Sequence, residues 1–192
     1  MEKDRLGAFS DGVIAIIITI MVLELKVPHG AELSALAPVL PSFLSYALSF
    51  IYVGIYWNNH HHMLHTVRHV NGAILWANTH LLFWLSLVPF ATTWMGENHF
   101  TKIPTAAYGL SLLMPAIAYF ILEQVIIQAQ GSNSLLKKAV GLEIKGLVSL
   151  VLYLSGIGLA FIQPWIANAI YALVACMWLA PDQRIEKALR NK

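Results

Sequence analysis

Six long apolar stretches limit the possible folds of this chain more than any other feature. They cover roughly residues 6–25, 38–58, 72–95, 105–127, 146–162 and 164–179. A helix that crosses a bilayer needs about 20 mostly apolar residues. Only helices and closed barrels can span lipid, and these runs are continuous rather than alternating, which favours helices. We therefore predict an all-α integral membrane protein with six transmembrane helices, in which residues 1–192 form a single domain.

The composition agrees with a membrane location. Apolar residues make up 58% of the chain and charged residues only 11%, whereas soluble domains carry about 25% charged residues. The net charge of +2 is too small to indicate nucleic-acid binding. The single cysteine, Cys176, excludes an intrachain disulfide. The acidic N-terminal residues are not those of a signal peptide, and the six apolar stretches predict a multi-pass membrane protein.

The distribution of basic residues predicts the orientation. With a cytoplasmic N-terminus, the outer loops contain only Lys26 and Lys102. The inner segments then contain ten basic residues: Lys3, Arg5, Arg68, Lys137, Lys138, Lys145, Arg184, Lys187, Arg190 and Lys192. Cytoplasmic loops of membrane proteins carry the excess of lysine and arginine. We therefore predict that both termini are cytoplasmic, which requires an even number of spans.

The first apolar stretch is bracketed by two acidic residues. Asp11 and Glu24 enclose twelve uncharged residues, which extend only about 18 Å as a helix. The hydrocarbon core is about 30 Å thick, so at least one acid approaches it. Charged groups at that depth face protein or a water-filled cavity. We therefore expect the first helix to lie inside an assembly rather than on its lipid rim. A pairing with Lys26 is one expected role for Glu24.

One face of the first helix carries a regular stripe. Its members are spaced by four, three and four residues: Gly12, Ile16, Thr19 and Leu23. Thr19 is the only hydroxyl-bearing residue between Ser10 and Ser34. Its hydroxyl either bonds to a carbonyl of its own helix or faces a polar interior.

Three sequence motifs resemble a known family. Residues 5–11 read R-x-x-x-F-S-D, residues 56–61 read Y-W-x-x-H-H, and residues 78–90 end in L-V-P-F. This set is similar to the transmembrane protein 175 family, the endosomal and lysosomal potassium channels, in its single-repeat prokaryotic branch. The motifs cover roughly the first half of the chain.

The resemblance implies a passive, modestly potassium-selective channel of the cell membrane, with Glu24 near the outer mouth of its pore. Its expected partners are potassium ions, the lipid bilayer and further copies of itself, as a homotetramer with four first helices around a central pore. By family analogy Ile16 forms the constriction, with Thr19 and Leu23 as the next layers outward. The sequence contains no T-V-G-Y-G filter, which agrees with this family.

The resemblance also implies a structural clamp at the start of the first helix. Its residues are those of the R-x-x-x-F-S-D motif: Arg5, Phe9, Ser10 and Asp11. The candidate partners on other helices are Trp57, His60 or His61, and Asn78.

A histidine cluster leaves other functions open. His61, His65 and His69 repeat every four residues and share a face if they are helical, and His62 lies beside them. Imidazoles at this spacing bind zinc and similar metals. The alternatives are therefore a zinc-type metal-ion transporter, a histidine-regulated membrane protein, or a haem protein that uses His60 or His61 with His80. We find no catalytic motif and predict no enzymatic activity, and no cofactor apart from zinc in the alternative reading.

Overall fold

The computed structural model describes residues 3–131, 134, 136–137 and 144–179, and these residues are largely helical. The helices are α1 Lys3–Leu23, α2 Leu40–His65, α3 Gly72–Ser86, α4 Val88–Glu97, α5 Lys102–Gln130, α6 Ile144–Ala160 and α7 Pro164–Leu179. A short 3-10 helix, Leu33–Val39, leads into α2.

The predicted all-α membrane fold is confirmed. Four segments are long and apolar enough to cross a bilayer, namely residues 3–23, 33–65, 72–97 and 102–130. The two remaining apolar helices, α6 and α7, have 17 and 16 residues, and at 1.5 Å per residue they extend about 24–26 Å. They occupy the positions of the predicted fifth and sixth spans.

The third span consists of two helices rather than one. α3 ends at Ser86 and α4 starts at Val88, with Leu87 between them. Pro89 occupies the first turn of α4. It has no N–H to donate to the carbonyl four residues earlier, and its ring disfavours a continuous helix. By contrast, α5 continues through Pro115, so an internal proline does not always divide a span of this protein.

α2 extends seven residues beyond the predicted end at residue 58. It continues to His65 and therefore includes three more histidines of the cluster. His69 lies in the connection between α2 and α3, outside any helix. The expectation that His61, His65 and His69 share one helical face is therefore wrong, because the helix ends before the third of them.

α1 packs mainly against α2, α3 and α4 through one face. The buried residues of that face are Leu6, Ser10, Ile14, Ile17 and Met21. They join a hydrophobic core that includes residues of α2, α3 and α5. A second core lies among α2 and α4 to α7 and is rich in tyrosine. α1 therefore lies at an edge of the subunit, with its other face available for further contacts.

A close contact in the second core gives a stability prediction. The ring of Tyr171 is fully buried, and a Cβ atom added at Gly156 would lie 2.5 Å from its Cε1 atom. We expect Gly156→Ala to lower the free energy of unfolding by about 1–3 kcal/mol because it overpacks this site. Gly158, in the same helix, has no atom within 4 Å of such a Cβ, so Gly158→Ala should be neutral or slightly stabilising. Thermal unfolding in detergent measures both, and equal effects would contradict the packing argument.

Candidate functional site

The stripe on α1 lies on the face that the subunit leaves uncovered. Its four residues, Gly12, Ile16, Thr19 and Leu23, are all exposed. Ile16 is 58% exposed and Leu23 is 81% exposed, although both are large apolar side chains. α1 is therefore buried on one side by its own subunit and open on the other along most of its length.

Thr19 adopts the first of the two alternatives that its sequence position left open, a hydrogen bond within its own helix. Its hydroxyl donates to the carbonyl oxygen of Ile16 at 2.9 Å, with the carbonyl oxygen of Ala15 at 3.1 Å, and the side chain is nevertheless exposed. A hydroxyl has one proton and two acceptor lone pairs. Because the proton is used by the helix, the oxygen is left as an acceptor on the exposed face.

A groove of about 730 Å³ runs between α1 and α4. Ile16 and Ile20 line it from α1, and Phe90 and Trp94 line it from α4. This α1–α4 groove is mainly apolar, so it is a surface that can accept lipid or a neighbouring helix.

Two acids, Glu24 and Glu97, lie at one end of this groove, and among the described residues only Glu97 forms an ion pair. The ammonium of Lys26 lies 2.6 Å from the carboxylate of Glu97, whose hydrogen bond and negative charge raise the pKa of Lys26. Glu24 remains exposed. The expected pairing of Glu24 with Lys26 is therefore wrong, because Lys26 reaches across to α4.

A buried chain of hydrogen bonds joins α1, α3 and α2. The Nδ2 atom of Asn78 donates to Ser10 Oγ at 2.9 Å, and Ser10 Oγ donates to the Leu6 carbonyl oxygen at 2.9 Å. His60 Nε2 lies 2.7 Å from Asn78 Oδ1. Because the amide nitrogen faces Ser10 and the amide oxygen accepts, His60 is the donor. All three linking side chains are essentially inaccessible, so each depends on the others for its hydrogen bonds. We call this chain the polar anchor.

A second contact fixes the same end of α1. Trp57 Nε1 donates to Asp11 Oδ1 at 3.0 Å, and Asp11 is half-buried. The structure thus brings Ser10 and Asp11 together with Trp57, His60 and Asn78.

The other two motif residues lie apart from the polar anchor. Phe9 is 59% exposed and Arg5 is exposed. Within the described part of the chain, Lys26 and Glu97 form the ion pair, and Arg5 forms none. Both side chains lie on the uncovered surface of α1, so within one subunit they do not contribute to the anchor.

The remaining histidines do not form one cluster. His61 Nε2 lies 3.1 Å from His65 Nε2, and the rings of His61 and His62 are 5.8 Å apart. His80 accepts a hydrogen bond from Trp84. Across residues 3–131, 134, 136–137 and 144–179, no three histidine, cysteine or acidic residues are grouped to hold a metal ion. The four-histidine set of His61, His62, His65 and His69 is therefore not assembled.

Comparison with known proteins gives consistent matches. The family model described as "Endosomal/lysosomal potassium channel TMEM175" matches residues 5–89. A potassium channel of Chryseobacterium sp. (strain P1-3) is 60% identical over 191 residues, which is 100% of both chains. The human endosomal/lysosomal proton channel TMEM175 is 35% identical over 103 residues, covering 47% of this chain and 20% of that protein.

A solved structure shares the whole fold. The crystal structure of a lysosomal potassium-selective channel TMEM175 homolog from Chamaesiphon minutus superimposes with a TM-score of 0.80. It is 28% identical in sequence and covers 94% of this chain and 98% of the other. These matched relatives are channels, and none of them is named as a metal-ion transporter or a haem protein.

Proposed function

The chain belongs to the endosomal/lysosomal potassium channel TMEM175 family, and we propose from this membership that it is a multi-pass membrane channel that conducts potassium ions. The ion assignment follows the bacterial relatives. The Chryseobacterium potassium channel matches over its full length, whereas the human proton channel matches over only 20% of its length. An ion channel carries out no bond chemistry, so we assign no enzymatic activity.

The uncovered stripe of α1 is the observation that carries the proposed pore. An exposed row of apolar side chains on a membrane helix must contact lipid, another subunit or a pore. In a homotetramer with α1 nearest the axis, four Ile16 side chains meet in a ring. Hydrophobic rings of this kind stop ions by excluding water, and they conduct when the helices move apart. Leu23 forms a wider apolar layer toward the outer side.

Thr19 supplies the selectivity in this arrangement. Its hydroxyl proton is bonded to the helix, so four Thr19 oxygens would present acceptor lone pairs to a passing cation. The number and field strength of oxygen ligands decide between potassium and sodium in a flexible filter. A few weak ligands favour the ion that loses water more easily, which is potassium.

The charge distribution supports an orientation with cytoplasmic termini. Because successive spans run in opposite directions, one side of the bundle carries Lys3, Arg5, Arg68, Lys137 and Lys145. The other side carries Lys26 and Lys102. Lys138, Arg184, Lys187, Arg190 and Lys192 lie outside the described residues. The excess of basic residues marks the cytoplasmic side, so Glu24 lies at the outer end of α1, where its negative charge attracts cations.

Exchanging the Thr19 hydroxyl for a methyl group tests the proposed selectivity. We expect Thr19→Val to conduct but to lose about fivefold in its preference for potassium over sodium, because an oxygen contact is worth about 1 kcal/mol. The measurement is potassium and sodium flux into liposomes that contain the purified protein.

Thr79→Val is the matched control for this experiment. Thr79 is an exposed threonine of α3 whose hydroxyl also bonds to its own helix, so its loss should leave the ion ratio unchanged. An unchanged ratio in Thr19→Val would remove Thr19 from the filter. An absence of potassium flux in the wild-type protein would contradict the channel function itself.

A further inference from the structure

The two exposed histidines on the last turns of α2 face each other closely. His61 and His65 are one helical turn apart, and their Nε2 atoms are 3.1 Å apart, with ring centroids at 4.4 Å. We propose that His61 and His65 form a two-histidine binding site for a divalent transition-metal ion of the zinc, nickel or copper type. This site is separate from the proposed pore.

The distance between the two nitrogens fits a shared metal ion. Zinc binds imidazole nitrogen at about 2.0–2.1 Å in tetrahedral geometry, so two nitrogens on one ion lie about 3.3 Å apart. The Nε2 atoms of His61 and His65 are within about 0.2 Å of that separation without any movement of the helix. Without metal, one ring must donate its proton to the other, and a bound ion takes the place of this shared proton.

The surroundings leave room for the rest of a coordination shell. A cavity of about 250 Å³ opens beside the pair, between the start of α1 and the end of α2. Asp4, Asp11 and Lys3 also line it. Asp11 already accepts a hydrogen bond from Trp57. No third histidine, cysteine or acidic residue in the described part of the chain is grouped with the pair to hold a metal ion, so water molecules in this cavity complete the coordination shell.

The chemistry of the donors defines the class of ion. Imidazole nitrogen is a good ligand for zinc, copper and nickel, whereas magnesium and calcium prefer oxygen. The neighbouring histidines are excluded by their positions. His62 directly follows His61 and points about 100° away from it around the helix, and His69 lies beyond the helix. The site therefore requires two histidines and not the whole series.

Calorimetric titration of the purified full chain with zinc chloride tests this site. The protein must carry an affinity tag without histidine. We expect one zinc ion per subunit. His61→Ala and His65→Ala should each weaken zinc binding at least about tenfold, because the loss of a residue that only supports a metal ligand already lowers metal affinity by about that factor. His62→Ala is the matched control and should bind like the wild type. Magnesium chloride should give no binding.

Three results of these titrations would overturn the proposed site. Absence of zinc binding by the wild type, or equal binding by His61→Ala and His65→Ala, would overturn the site. Equal weakening in His62→Ala would also overturn it. Both histidines are exposed, so without zinc the two alanine variants should have the same unfolding temperature as the wild type. Zinc should raise the unfolding temperature only in proteins that contain both His61 and His65. Because none of these measurements uses ion flux, the result is independent of the proposed conduction.

Discussion

Replacing Ile16 with asparagine is expected to raise potassium flux into liposomes at least about tenfold, which corresponds to a barrier lowered by about 1.4 kcal/mol. Ile16 is a large apolar side chain that is 58% exposed on the uncovered face of α1. In the proposed tetramer four such side chains form a dry ring, and four amides in their place would hold water and remove the hydrophobic barrier. The measurement is the initial rate of potassium uptake at equal amounts of reconstituted protein.

A variant elsewhere in the protein controls for a general leak. Leu154, in the middle of α6, is 59% exposed, so Leu154→Asn makes the same kind of change at the same exposure. Leu154→Asn should conduct like the wild type if its face contacts lipid. Equal increases in the two variants would indicate damage to the bilayer or the fold. An Ile16→Asn flux at or below the wild-type value would exclude a ring of Ile16 as the barrier.

Replacing Asn78 with leucine is expected to lower the free energy of unfolding by about 2–4 kcal/mol. Asn78 is fully buried and bonds to both Ser10 and His60. Leucine has a similar size but no polar atoms, so His60 remains buried without its partner. An unsatisfied buried group costs about 1–3 kcal/mol, and the link between α1 and α3 is lost in addition. Thermal unfolding in detergent and the yield of assembled protein on size-exclusion chromatography measure the effect.

Asn98 offers the same substitution without burial. Its side chain is exposed and donates to the carbonyl oxygen of Trp94 in the preceding helix, so Asn98→Leu should change stability by no more than about 0.5 kcal/mol. A double-mutant cycle between Asn78 and His60 should give a coupling energy of at least about 0.5 kcal/mol, because they are in contact. Additive effects, or equal losses in Asn78→Leu and Asn98→Leu, would contradict the polar anchor.

Much of the fold could be predicted from the sequence because a bilayer sets the length of every span. The boundaries of five spans agree with the hydropathy to within a few residues. The end of α2 could not be found in this way, because hydropathy falls after residue 58 while the helix continues to His65. A helix that extends beyond the hydrocarbon core no longer needs apolar residues there. The fall in hydropathy therefore marks the edge of the apolar region and not the end of the helix.

The part of the candidate site that lies along one helix could be predicted from helical periodicity. The spacing of Gly12, Ile16, Thr19 and Leu23 was sufficient to group them on one face of α1. The choice between His60 and His61 could not be made from the sequence, because it depends on which face of α2 is buried. The structure buries His60 on the same face as Val53 and Leu64.

The partner of Lys26 could not be predicted in this way. Glu97 is far away in the sequence, and only the packing of α4 beside α1 brings the two side chains together. Contacts between separate helices depend on tertiary packing, which no local periodicity of the sequence describes.

The interruption at Leu87 has a mechanical consequence for α1. Near its start, Ser10 is tied to α3 through Asn78. Just after its end, Lys26 is tied to α4 through Glu97. α3 and α4 are separate helices that meet at Leu87. A change in the angle between them would move these two contacts of α1 relative to each other without breaking either one. Ile16 lies between these two contacts, so in the proposed tetramer such a change would also move the Ile16 side chains toward or away from the axis.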